Sequence, residues 1–160
     1  MTRRGAAALA ATALVAGCAT AQPAAPASAH PAGRSAAAAR YLAIAQTGNR
    51  ALEVEFGRLR GRDRATLVAA RTDLRDIAAT ERLFDSRLNA ISFPAATEAT
   101  ARTLYRVNQA RASLTITAAR SVSLRQLRVY EPRLTAANAP VEQAVRIIRR
   151  QLGLPPPETS

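Results

Sequence analysis

The sequence predicts an all-α protein, an up-down-up-down four-helix bundle. Three observations carry that reading. From Ser35 onward apolar residues recur at alternating steps of three and four, the spacing of helices packed against one another. Gly61, Pro94 and Gly153 punctuate the pattern at intervals suited to helix ends. The connections they imply are short, and short connections make consecutive helices antiparallel neighbours.

The chain opens differently. Arg3 and Arg4 form a positive start, and the thirteen residues from Gly5 to Gly17 are uncharged and rich in alanine. A membrane span needs about 20 apolar residues, so this stretch reads as a signal peptide. Leu14-Val15-Ala16-Gly17-Cys18 closes it and resembles the lipobox of bacterial lipoprotein precursors. The resemblance implies cleavage between Gly17 and Cys18 and a diacylglyceryl thioether on Cys18. It also implies palmitate-type acylation and a place on the outer face of the cell membrane. Cys18 is the only cysteine, so it has no intramolecular disulfide partner. Thr2-Arg3-Arg4 leaves both general secretion and twin-arginine export open.

Residues 18–34 follow as an acylated cysteine and an Ala/Pro/Ser-rich tether without apolar periodicity. At roughly 3.1 Å per residue its last sixteen residues span at most about 50 Å. His30, the single histidine, lies in this tether and reads as solvated.

The helical body is assigned to 35–153, with a Pro-rich tail at 154–160. Helix one starts at the Ser35 cap and runs to Arg60, with the stripe Ala38, Leu42, Ala45, Asn49, Leu52, Phe56, Leu59. Asp63 is the expected cap of helix two, whose stripe is Leu67, Ala70, Leu74, Ile77, Glu81, Phe84, Leu88, Ile91. Helix three starts near Pro94, since proline suits a first turn, and carries Leu104, Val107, Arg111, Leu114, Ala118. Ser123-Leu124-Arg125-Gln126 fits a capping box and places the next break near Arg120 to Ser123. Helix four keeps its phase through Pro132 and Pro140, which predicts one kinked helix ending at Gly153.

Polar residues interrupt every stripe. Levelling the antiparallel helices puts Asn49, Leu74, Arg111 and Glu131 in one layer, and Leu42, Glu81, Leu104 and Asn138 in a second. A buried lone charge costs several kcal/mol, so Arg111 is expected to pair with Glu131, assisted by Asn49. Glu81 is expected to bond Asn138 or a hydroxyl of Tyr41 or Tyr105, or to reach Arg111 or Arg106. Such groups either fix the register of the bundle or line a polar ligand cavity. Glu81 and Asp85, one turn apart, are assigned to salt bridges with Arg75, Arg82 or Arg87.

Charge narrows the partners. All 23 basic residues are arginine, against 11 acids, and removal of Arg3 and Arg4 leaves a formal charge near +10. Residues 99–130 hold six arginines and no acid. Arg102, Arg106, Arg120, Arg125 and Arg128 form a candidate basic face for anionic lipid or envelope polymer. Nucleic acid is not expected, because no aromatic–basic interleaving accompanies the charge.

Catalysis is not expected either: lysine is absent, the sole cysteine is assigned to acylation, and no histidine lies in the bundle. Without histidine, and with no carboxylate in helix three from Ala99 onward, a two-metal carboxylate site lacks its ligands. No cofactor is expected. The body, in segments such as Tyr41-Leu42-Ala43-Ile44-Ala45 and Leu152-Gly153-Leu154-Pro155-Pro156, resembles the uncharacterised Ala/Arg-rich helical lipoproteins of high-GC Gram-positive bacteria. The expectation is a membrane-anchored helical binding or scaffold module. The alternative is a carrier or sensor of a small amphipathic ligand held between the helices.

Overall fold

The computed structural model describes residues 31–157. Gly17, Cys18, the signal peptide, the tether as far as residue 30 and the last three residues of the tail lie outside the described residues. Four α-helices follow in order: α1 (Pro31–Arg60), α2 (Leu67–Asn89), α3 (Ala95–Ala118) and α4 (Leu124–Leu152). A 3-10 turn, Arg62–Ala65, joins the first two, and there is no strand among the described residues. Each helix packs on the next, and the contact between α1 and α4 is much smaller than these. This is the four-helix bundle that the periodicity predicts.

The helix ends follow local chemistry. α1 begins at Pro31, four residues before the Ser35 cap, so residues 31–34 are helical and not part of a tether. Proline has no N–H to leave unpaired at a helix start, and its fixed φ suits the first turn. Asp63 does not cap α2. It lies in the 3-10 turn, and Thr66 takes the role with its hydroxyl accepting from the Ala69 N–H at 3.4 Å. At α4, Ser123 Oγ accepts from the Gln126 N–H at 3.1 Å, and Gln126 Oε1 accepts from the Val122 N–H at 2.8 Å. The far end of α4 closes in a left-handed turn at Gly153 (φ 73°), with Leu154 N–H donating to Arg149 O and Gly153 N–H to Arg150 O. Only glycine takes that φ without steric cost.

α4 runs unbroken across Pro132 and Pro140. Both prolines are exposed, on the outer side of the helix.

The core is uneven along the bundle. Its main cluster joins Tyr41 of α1, Leu88 of α2, Leu104 of α3 and Ile148 of α4, all at most 2 % exposed. At the opposite end the apolar cluster is small: Leu74, Ala118 and Ala119 are fully buried, against half-buried Leu59, Leu127, Tyr130 and Leu134. One end is therefore densely filled and the other thinly filled.

Candidate functional site

Between the two clusters lies a polar waist. Arg111 of α3 donates from Nη2 to Glu81 Oε1 of α2 at 2.8 Å, and from Nη1 to Asn138 Oδ1 of α4 at 3.2 Å. Asn108, one turn before Arg111, donates to Asp85 Oδ1 at 2.9 Å and to the Glu81 carbonyl at 3.3 Å. Glu81, Asp85 and Asn108 are buried. Nearby, the Thr80 hydroxyl donates to Glu55 Oε1 at 2.8 Å.

Helix geometry explains both the pairing that forms and the one that does not. Side chains on a helix lean toward its N-terminus. Glu81 and Asn138 lean toward the thin end of the bundle, and Arg111, on an antiparallel helix, leans toward the dense end. They converge although their backbones are not level. Glu131, which is level with Arg111, leans away from it. It is exposed and pairs with Arg64 at 3.5 Å, so the expected Arg111–Glu131 pair does not form.

Asn49 is also exposed and belongs to no polar layer. The buried face of α1 runs through Tyr41, Ala45 and Gly48, with Phe84 3.8 Å from where a Gly48 Cβ would stand. Tyr41 and Gly48 stand one residue before Leu42 and Asn49 of the predicted stripe, about 100° round the helix, whereas Ala38, Ala45, Phe56 and Leu59 of that stripe do face the interior.

The tyrosines take no part in the waist. Tyr105 accepts from Gln109 at 2.7 Å, while Tyr41 sits in the dense core, where burial pushes its hydroxyl up to about 12. Arg75, Arg82 and Arg87 are exposed and leave Glu81 and Asp85 to Arg111 and Asn108.

Burial dominates the acidities. It pushes the Glu81 carboxyl up to about 7 against the opposing pull of Arg111, with the Asp85 charge adding to the rise. Burial likewise pushes Asp85 up to about 6, against the hydrogen bond from Asn108. Asp73, buried beside Arg58 at 3.2 Å, is also raised, by burial first and then by the Asp63 charge.

Below the waist the bundle is hollow. A cavity of about 390 Å³, partly open to solvent, lies between all four helices. Its walls include Phe56, Leu59, Leu74, Leu127 and Leu134; its inner end is Glu81, Arg111 and Asn138; its rim holds Arg60, Arg64, Arg128 and Glu131. Small alanines at 118 and 119, facing half-buried Leu59, Leu127 and Leu134, leave the space unfilled. A second hollow between α3 and α4, lined by Ala99, Thr103, Val107, Pro140 and Ile147 among others, has no charged side chain in its lining. Apolar walls with a few converging polar groups make the first the candidate site.

Of the predicted polar residues, the structure brings together Glu81, Arg111 and Asn138. The additional waist residues, Asp85 and Asn108, are each one turn from a seam position, Glu81 and Leu104. A broader apolar face, taking in such flanking positions, is the signal that finds them.

The candidate basic face divides. Arg120 and Arg125 are exposed at the α3–α4 turn beside Val122, and Arg128 stands on the cavity rim. Arg106 is twelve residues from the end of α3, about 18 Å away at 1.5 Å per residue. Arg102 is one turn farther and pairs with Glu98 at 3.9 Å.

No helix among the described residues is long and apolar enough to cross a membrane. No three His, Cys, Asp or Glu side chains among them converge as metal ligands. In comparisons with known proteins, no family model, curated protein or solved structure matches the chain.

Proposed function

We propose that this chain is a lipoprotein, anchored through Cys18 on the outer face of the cytoplasmic membrane, whose bundle binds a small amphipathic ligand between its helices. It acts by binding, without catalysis. The cavity is the observation that carries the reading: five apolar side chains from α1, α2 and α4 flank a space that no side chain fills. Four of them, Phe56, Leu59, Leu127 and Leu134, are only half-buried. Removing such surface from water is favourable by roughly 25 cal/mol per Å², so an apolar ligand gains where the protein leaves its own walls uncovered. The volume lies at the lower end of the roughly 300–1,000 Å³ typical of small-molecule sites. The anchor rests on Leu14-Val15-Ala16-Gly17-Cys18.

Two measurements test the two halves. Expressed in a bacterial host, the chain is expected in the membrane fraction with an acylated Cys18, and Cys18→Ser is expected to release it. A soluble, unacylated wild-type protein contradicts the anchor. A polarity-sensitive apolar fluorophore is expected to bind at one site and to be excluded by Leu134→Trp, which fills the cavity. Equal binding by wild type and variant contradicts the ligand reading.

The second reading, a scaffold that meets an anionic surface, rests on exposed Arg120, Val122 and Arg125 at the α3–α4 turn. It predicts co-sedimentation with anionic vesicles that salt weakens.

A further inference from the structure

We infer that the cavity selects a single-chain amphiphile with an anionic head, seated with the head at the arginine rim and the chain running along α4 toward the polar waist. This rests on the ligand-binding reading above and adds the ligand's charge, orientation and length.

Charge comes first. The lining carries Arg60, Arg64, Arg111 and Arg128 against Glu81 and Glu131. Arg111 is committed to Glu81 and Asn138 at the inner end, and Arg64 to Glu131 at the rim. Arg60 and Arg128 have no acidic partner among the described residues, and both are exposed. The Arg60 guanidinium lies over the Phe56 ring, 5.9 Å from its centroid, so positive charge already sits directly above an apolar wall. A guanidinium binds carboxylate or phosphate oxygens through two parallel hydrogen bonds.

Shape sets the rest. From Arg128 at the rim to Asn138 at the waist is ten residues of α4, about 15 Å at 1.5 Å per residue. Leu127 and Leu134 line that run, with Leu74 and Phe56 opposite. At about 30 Å³ for each group of water or methylene size, 390 Å³ is room for roughly a dozen such groups. At the inner end Arg111 closes onto Glu81 and Asn138. A longer chain would have to bury its end against a charged pair, and this limits chain length.

The test is calorimetric titration of the full-length chain carrying Cys18→Ser, with ligands below their micelle concentration. Dodecyl phosphate and dodecanoate are expected to bind one to one, on the order of tenfold tighter than dodecyltrimethylammonium or a neutral dodecyl glucoside. Inorganic phosphate alone is expected not to compete, which separates a lipid head from a free anion. Arg60→Gln with Arg128→Gln, both at exposed positions, is expected to erase the anionic preference and leave the glucoside unchanged. An octadecyl chain is expected to bind more weakly than the dodecyl one. If all four dodecyl probes bind alike and Leu134→Trp blocks them, the cavity is a ligand site and the charge selection is wrong. If none binds, the ligand reading itself is wrong. Competition by inorganic phosphate would replace the amphiphile with a simple anion and overturn the inference.

Discussion

Arg111 Nη2 lies 2.8 Å from Glu81 Oε1, and the two side chains are 14 % and 2 % exposed. This pair divides the bundle: dense core on one side, hollow on the other. Removing one partner strands the other in a poor dielectric, at a cost of about 3–5 kcal/mol, whereas replacing both by apolar groups is often neutral or stabilising. Arg111→Met is therefore expected to destabilise the fold by about 3 kcal/mol, and Glu81→Leu with Arg111→Met to restore most of it. Urea unfolding of the three proteins checks this; a double variant as unstable as Arg111→Met would contradict it.

Stability is expected to fall as pH rises from about 5 to 7.5. Glu81 is raised from an ordinary 4.5 to about 7, and Asp85 from 3.8 to about 6. Through that window the folded state holds protons that the unfolded chain has released, so raising the pH favours unfolding. The effect is on the order of 1–3 kcal/mol. Melting temperatures across this range, for wild type and for Glu81→Gln with Asp85→Asn, measure it. The wild type is expected to melt higher at pH 5, and the variant to show a flatter profile. Parallel profiles would show that these carboxyls are not the source.

The α4 cap is the third test. Ser123 Oγ accepts from the Gln126 N–H at 3.1 Å. Ser123→Ala is expected to cost about 1 kcal/mol, read by thermal or urea unfolding. A change within a few tenths of a kcal/mol would mean that this end of α4 is held by packing alone.

The prolines of α4 give a fourth. Pro132 is exposed within a continuous helix, where proline is about 3 kcal/mol worse than alanine. Pro132→Ala is expected to raise stability by about 1–2 kcal/mol, since alanine also frees the unfolded chain and returns part of the gain. A loss of stability in urea unfolding would show that the proline is matched to its surroundings.

Much of the fold is legible in the residues, and the reason is physical. The α2 stripe from Ala70 to Leu88 is buried or half-buried throughout because period and packing agree. The cap at Ser123 and the stop at Gly153 are local chemistry, readable without tertiary information. The α1 register is less legible: with alanine on several faces, the helix offers weak contrast, and a stripe through Asn49 fits nearly as well as one through Gly48. Glu81, Arg111 and Asn138 are recognisable as polar residues on apolar seams. Their pairing is not readable from backbone levels, because lean along the helix axis decides which tips meet. The cavity is least legible. It arises from how residues of all four helices sit around one space, and no single position carries that arrangement.

Native mass spectrometry tests most directly the proposal that the hollow holds a ligand. The mature protein would be recovered from its own host's envelope without competing detergent, alongside Leu134→Trp. The account predicts a reproducible non-covalent added mass on the wild-type protein, beyond that of the Cys18 lipid and absent from the variant. A wild-type protein that flies empty, or an added mass that Leu134→Trp retains, would contradict it.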